Sequence, residues 1–257
     1  MTHLLRSTAI CGALLAALPA MSQDIPVGGQ VDLDYRTFDD LDLSTATLRL
    51  SGEIPVSRQF SLQGDLSISA FDLYGYEDSF NTVTVHGIQH ISATSSVGGF
   101  LTYDSIDDDA LGEADMLSVG IEAGGNFAGL DAEIWFGLGR GSVDGDDFVG
   151  SYNAEGVFFG MEAKYPVGRG ALIGKFEHFN FDGVVESSQL GVGFEVSPTP
   201  FVNVRLMAET SDVGVDYFDA DFGENIDDTS YSLGATFKLG KRPGTVFGSR
   251  SIMDAFR

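Results

Sequence analysis

The chain has 257 residues, 43% apolar and 11% aromatic with 33 Gly, and its 14 Lys and Arg against 38 Asp and Glu leave a formal net charge of −24. That balance excludes a nucleic-acid binder, which needs basic side chains to neutralise phosphates, and the apolar content excludes a disordered acidic chain. The lone Cys11 excludes a disulfide framework, and no stretch beyond the N-terminus approaches the roughly 18–20 apolar residues of a membrane helix.

Residues 1–22 have the pattern of a secretory signal peptide: Arg6 as the positive region, an apolar run from Ser7 to Leu18, and small residues Ala20 and Ser22 before Gln23. Cleavage after Ala20 is the rival site. A lipoprotein signal at Cys11 is disfavoured, because Ile10 stands where a small residue is wanted. Removal of this segment leaves 13 basic and 38 acidic groups.

From Gln30 onward apolar and polar residues alternate with the period of a strand. Twelve runs are expected, near 30–38, 45–54, 60–70, 80–91, 96–103, 117–124, 130–138, 152–165, 171–180, 190–196, 202–208 and 231–239. The clearest sets Phe60, Leu62, Leu66 and Ile68 against Ser61, Gln63, Asp65, Ser67 and Ser69. Short turns at 53–59, 92–96, 125–129, 166–170 and 197–200 alternate with longer segments at 39–44, 71–79, 104–115, 141–150, 181–187 and 210–229. The longer segments hold 24 of the 38 acids and no Lys or Arg. Every proline after the first segment falls at the short-turn end, outside the strand interiors where a hydrogen-bonded ladder excludes it. An even number of strands with short turns on one rim and long loops on the other describes an all-β, up-and-down antiparallel barrel.

Alternation alone fits a soluble barrel, apolar inside, or a membrane barrel, apolar outside. The polar face carries many Gly and Ser and charges of both signs, among them Asp32, Asp34, Glu162 and Lys164. Such a face suits a lumen in which opposite charges pair, and closure satisfies the backbone groups that lipid would leave without partners. A transmembrane barrel is therefore expected over residues 23–239, followed by a short basic tail at 240–257.

Over residues 28–239 the chain resembles the outer-membrane β-barrels of Gram-negative bacteria, porin-like proteins in particular. The segment Ser232-Leu233-Gly234-Ala235-Thr236-Phe237-Lys238-Leu239 is similar to the family's C-terminal assembly signal, carried here by Ser232, Gly234, Phe237 and Leu239. The resemblance implies outer-membrane localisation, a lipid and lipopolysaccharide environment, and recognition by the barrel assembly machinery. One departure is plain: 18 residues follow Leu239, where such a strand commonly ends the chain.

No hydrolase pattern accompanies this architecture, and no enzyme is expected. His86, His90 and His178 are the only histidines beyond the first segment. His86 and His90 share a strand face about 13 Å apart, too far to ligate one metal together. The phospholipase pattern of His followed by Ser-Asn-Gly is absent from His90-Ile91-Ser92-Ala93. Acidic stretches at Asp219–Asn225 and Asp144–Asp147 offer oxygen ligands, but Ser230 stands where an EF-hand-type loop begun at Asp219 would place its Glu. A solvated rim with weak divalent binding is expected there, without a defined metal or cofactor site. The resemblance favours a channel for small polar solutes or ions over a non-conducting structural barrel, with a barrel lipid-modifying enzyme less favoured still, and the acidic lumen and rim make a weak cation preference the expectation. Its candidate lining is an acidic wall of Asp65, Glu122, Asp131, Glu133 and Glu195 opposed by a basic ladder of Arg36, Arg49, Lys175, Arg205 and Lys238. A stabilising pairing network among these groups is the competing role. The tail has Lys241, Arg242, Arg250 and Arg257 against Asp254, and either docks at the mouth of an acidic lumen or hangs free.

Overall fold

The computed structural model describes residues 28–108, 112–144, 152–181, 185–215, 226–240 and 247–251. The signal-peptide segment and the Asp219–Asn225 stretch lie outside these residues. Twelve strands follow one another: β1 (Gly28–Phe38), β2 (Leu43–Pro55), β3 (Phe60–Leu73), β4 (Tyr76–His90), β5 (Ser95–Asp108) and β6 (Gly112–Phe127), then β7 (Leu130–Asp144), β8 (Tyr152–Val167), β9 (Gly170–Phe181), β10 (Val185–Thr199), β11 (Val202–Val215) and β12 (Ile226–Gly240). Each pairs antiparallel with its chain neighbours, and β1 closes on β12 from Gly28 opposite Gly240 to Phe38 opposite Ser230. Closure leaves no strand edge.

The side-chain pattern is inverted relative to a water-soluble barrel. On β6, Leu117, Val119 and Ile121 are 53%, 55% and 67% exposed, whereas Ser118 and Glu122 between them are buried. The same inversion runs around the wall, with Leu33, Leu48, Val85, Leu101, Phe136 and Leu206 outward. Ser61, Gln63, Thr84, Thr102, Gln189 and Ser232 are buried on the inward face. A belt of exposed Leu, Val, Ile and Phe around a polar interior is stable only where the surroundings are hydrocarbon.

All twelve expected runs are strands, but most extend further at the long-loop rim than alternation suggests. The residues expected to form a loop at 71–79 are mostly strand, and Tyr74-Gly75, both at positive φ (53° and 80°), makes the tight turn between β3 and β4. Likewise Ser105–Asp108 and Gly112–Asp115 pair with each other instead of forming a loop. The reason is environmental. Beyond the belt the outward face carries Asp115, Arg140, Glu155, Asn180 and Glu186, so the ladder continues where the apolar period has stopped. At the same rim Asp228 of β12 accepts N–H donations from Asp39, Asp40 and Leu41 at 3.2, 3.0 and 3.1 Å, pinning the β1–β2 connection. At the opposite rim Pro55, Pro166 and Pro198 occupy strand ends.

One part of the interior is apolar. Phe100, Trp135, Ala154, Phe158, Phe179 and Phe181 form a cluster on the β5–β9 wall. Its rings lie over glycines of the adjoining strand: Phe100 opposite Gly120, Phe158 opposite Gly137, and Trp135 opposite Gly160. A Cβ at any of these glycines would stand inside van der Waals contact of the ring.

Candidate functional site: the lumen and its C-terminal insert

The charged lumen divides into two regions. On β1 and β8–β11 acids and bases are interleaved. Arg36 pairs with Glu209, and Lys175 lies 3.6 Å from Glu209 and 2.5 Å from Glu177. Lys164 Nζ is 3.1 Å from Glu162 and 3.7 Å from Glu195, and Arg205 Nη1 is 3.6 Å from Glu162. Glu195 also accepts from Asn203 Nδ2 at 2.9 Å. Arg49 stands opposite Asp32 in the β1–β2 register.

On β3–β7 the acids meet a different partner. Residues 247–251, which follow the closing strand, lie inside the barrel, with Phe247, Ser249, Arg250 and Ser251 all buried. Gln63 Nε2 donates to the Phe247 carbonyl at 2.7 Å, and the Gly248 N–H donates to Glu133 Oε1 at 3.2 Å. Ser249 Oγ is 3.4 Å from Thr84 Oγ1, and Ser251 Oγ donates to Asp104 at 2.5 Å. The segment thus climbs from the short-turn end of β3 and β7 to the middle of β4 and the upper half of β5. Gly98 gives it room: a Cβ there would lie 3.0 Å from Glu122 Oε1 and 3.1 Å from the Phe247 ring.

Arg250 is the centre of this contact. Its Nε donates to Glu122 Oε2 at 3.1 Å, its Nη2 pairs with Glu133, and its Cζ lies 4.2 Å from the centroid of the Trp135 ring. The other oxygen of Glu122 accepts from His86 Nδ1 at 2.7 Å, and His86 Nε2 is 2.8 Å from Asp65 Oδ2. The Phe247 ring stacks on His86 with centroids 6.4 Å apart. A continuous network therefore runs from β3 through β4 and β6 to the insert and on to β7.

The expected site residues sort accordingly. Asp65, Glu122 and Glu133 face His86 and the insert, and Glu195 faces Lys164. The picture of an acidic wall opposed by a basic ladder does not describe this arrangement. Arg36, Lys175 and Arg205 pair with Glu209, Glu177 and Glu162 within the β1 and β8–β11 part of the wall, along one strand or across one or two intervening strands, and not with Asp65, Glu122 or Glu133. Asp131 and Lys238 sit at the short-turn rim, where Asp131 accepts from Asn126 Nδ2 at 2.7 Å. Ser232 is buried and Gly234 faces Asp34, whereas Phe237 and Leu239 are exposed on the belt. His90 faces Ser61 and Ser96 at 2.9 and 2.8 Å, and His178 points outward to Ser188 and Phe159. Sequence reasoning did not anticipate Glu209 as a hub for two cations, nor Trp135 as a surface for Arg250. A lone Trp among charges and glycines was the available signal. Among the described residues no group of three or more His, Cys, Asp or Glu is arranged to hold a metal ion.

At the short-turn rim a recess of about 660 Å³ opens into the bore, lined by Gln30, Glu133, Glu162, Lys164, Glu195 and Lys238 among others.

No family model matches the sequence, and no curated protein matches it. Solved structures do match in fold. The NanC porin is 11% identical, with 82% of this chain and 100% of that chain covered at a TM-score of 0.55. The KdgM porin in complex with disordered oligogalacturonate is 10% identical, with 82% and 99% covered and a TM-score of 0.50. The translocator domain of the autotransporter NalP from Neisseria meningitidis is 12% identical, with 93% and 98% covered and a TM-score of 0.46. With an inverted wall of twelve closed antiparallel strands and the likeness to the two porins, the chain has the fold of the outer-membrane β-barrels.

Proposed function

We propose that the barrel is a porin-like channel for passive diffusion of small polar solutes or ions, weakly preferring cations and narrowed by its own C-terminal insert. The observation that carries this reading is the charged recess at the short-turn rim. It is walled by ion-pairing side chains, where a filled barrel would present packed aliphatic ones. Inward carboxylates outnumber inward cations, and the segments toward the long-loop rim hold 24 of the 38 acids of the chain, some of them inward, with no Lys or Arg. Low-dielectric walls focus that negative potential and raise the local cation concentration. The acidic long loops suit weak divalent binding beside anionic lipopolysaccharide, and the β12 segment suits recognition by the assembly machinery.

The test is single-channel recording of the refolded protein in a planar bilayer under a salt gradient. Steps reversing at a cation-selective potential support the reading. Anion selectivity removes the acidic-bore argument. A folded barrel that never conducts favours the second reading, a non-conducting surface barrel. That alternative draws on the insert against β3–β7 and the aromatic packing on β5–β9.

A further inference from the structure

The insert supplies one buried cation, and the wall supplies everything that recognises it. Arg250 is 5% exposed, and its guanidinium meets Glu122 on one edge, Glu133 on another and the Trp135 ring on its face. Two carboxylates in reach of a planar fork, with an aromatic surface against its plane, recognise this ion by shape and by charge. Two of the three wall residues, Glu122 and Trp135, also have supports within the wall. Glu122 is fixed by His86, which contacts Asp65 in turn. Trp135 lies over Gly160. Glu133 differs, being contacted by the Gly248 N–H and Arg250 of the insert, and Phe247 stacks on His86.

The geometry points to a binding site for a free organic cation carrying a guanidinium group, formed by Glu122, Glu133 and Trp135, which Arg250 occupies in cis. The inference deepens the channel reading, and rests on it for the solute's route, by naming guanidinium-bearing solutes of arginine-like size as the class retained in the bore. Such a solute and the insert compete for one place. The insert is tethered a few residues beyond Gly240, so its effective concentration is on the order of millimolar. A free cation displaces it only near or above that level.

Trp135 is the one tryptophan of the chain, which makes its emission a direct reporter. The experiment titrates the full-length protein, refolded in detergent, with argininamide, and with citrullinamide as the neutral isostere, in the wild type and in Arg250→Gln. Arg250→Gln is expected to show a saturable emission change with argininamide, at a midpoint at least about tenfold below that of the wild type, where the tethered guanidinium competes. Citrullinamide is expected to produce no change, and Glu122→Gln in the Arg250→Gln background is expected to abolish the response. No saturable change in folded Arg250→Gln, or an equal change with citrullinamide, overturns the site. If Arg250→Gln fails to give a heat-modifiable barrel, the wild type decides. A change with argininamide alone above the effective concentration of the tether supports the site, and no change overturns it. Because emission is read without any current, a silent bilayer with an intact titration refutes the channel and leaves the site standing. A conducting barrel without the titration does the reverse.

Discussion

The Cζ of Arg250 lies 4.2 Å from the centroid of Trp135, and the carboxylate that accepts from Arg250 Nε belongs to Glu122, the β6 residue opposite Trp135 in the β6–β7 register. One register pair thus supplies both the counter-charge and the aromatic face. Arg250→Ala leaves Glu122 buried without that cation, and breaking such a pair is expected to cost roughly 3 kcal/mol, at the low end for buried ion pairs because His86 remains. Urea unfolding of the refolded barrel measures the loss. Arg250→Lys should recover only part of it, since an ammonium lacks the planar fork.

Gly98 tests the fit of the insert from the other side. A Cβ there would stand 3.0 Å from Glu122 Oε1 and 3.1 Å from both the Phe247 ring and the Gly87 carbonyl. Gly98→Val is expected to expel residues 247–251 and leave the closed wall intact. Protease cleavage after Arg250 in the folded barrel should then rise severalfold over wild type. An unchanged cleavage rate would mean that the wall moves and the insert does not.

Glu209 bridges Arg36 and Lys175. Glu209→Gln releases both cations from their shared carboxylate and makes this region of the bore more positive. In a conducting barrel the reversal potential under a salt gradient is expected to shift toward anions, with the unitary current still present. A shift toward cations would contradict the assigned polarity of this wall.

The outward face makes its own demand. Val119 is 55% exposed in the middle of β6, and Val119→Arg is expected to cost about 2–4 kcal/mol in a bilayer, as for an arginine at the midplane of a lipid-facing wall. Arg140 and Glu155 lie near the long-loop rim, 3.8 Å apart and 68% and 76% exposed. Arg140→Ala should change stability by less than about 1 kcal/mol, as for an exposed ion pair. Folding titrations in lipid vesicles separate the two.

The strands are legible in the sequence wherever the wall crosses hydrocarbon, because lipid outside and charge inside impose opposite chemistry on successive residues. Leu117, Val119 and Ile121 against Ser118 and Glu122 show it plainly. The strand ends are not legible for the same reason. At Asp212, beyond the expected end of the β11 run, both faces meet polar surroundings, so the hydrogen-bond ladder runs on without a pattern to mark it. The lumenal aromatics break the alternation too. Phe100 and Phe158 sit on the polar face because Gly120 and Gly137 across the register leave space for their rings, a relation visible only once the pairing is known. The basic character of the tail makes docking in an acidic lumen a readable option. The choice of Arg250 does not show in the sequence, since Glu122, Glu133 and His86 come together only when three separate strands are aligned.

On its N-terminal side the insert connects to the wall at the short-turn rim, where β12 ends. Gly240 lies beside the short turns, and Ser251 contacts Thr82 and Asp104, the latter in the upper half of β5. The two directions of travel through the bore are therefore inequivalent. Traffic from the long-loop rim pushes the segment toward Gly240, whereas traffic from the short-turn rim pushes it away from Gly240. An applied voltage acts on Arg250 with the same asymmetry. A conducting barrel should rectify, with the larger current at the polarity that draws positive charge toward Gly240, and removal of that one charge should make the current–voltage curve symmetric.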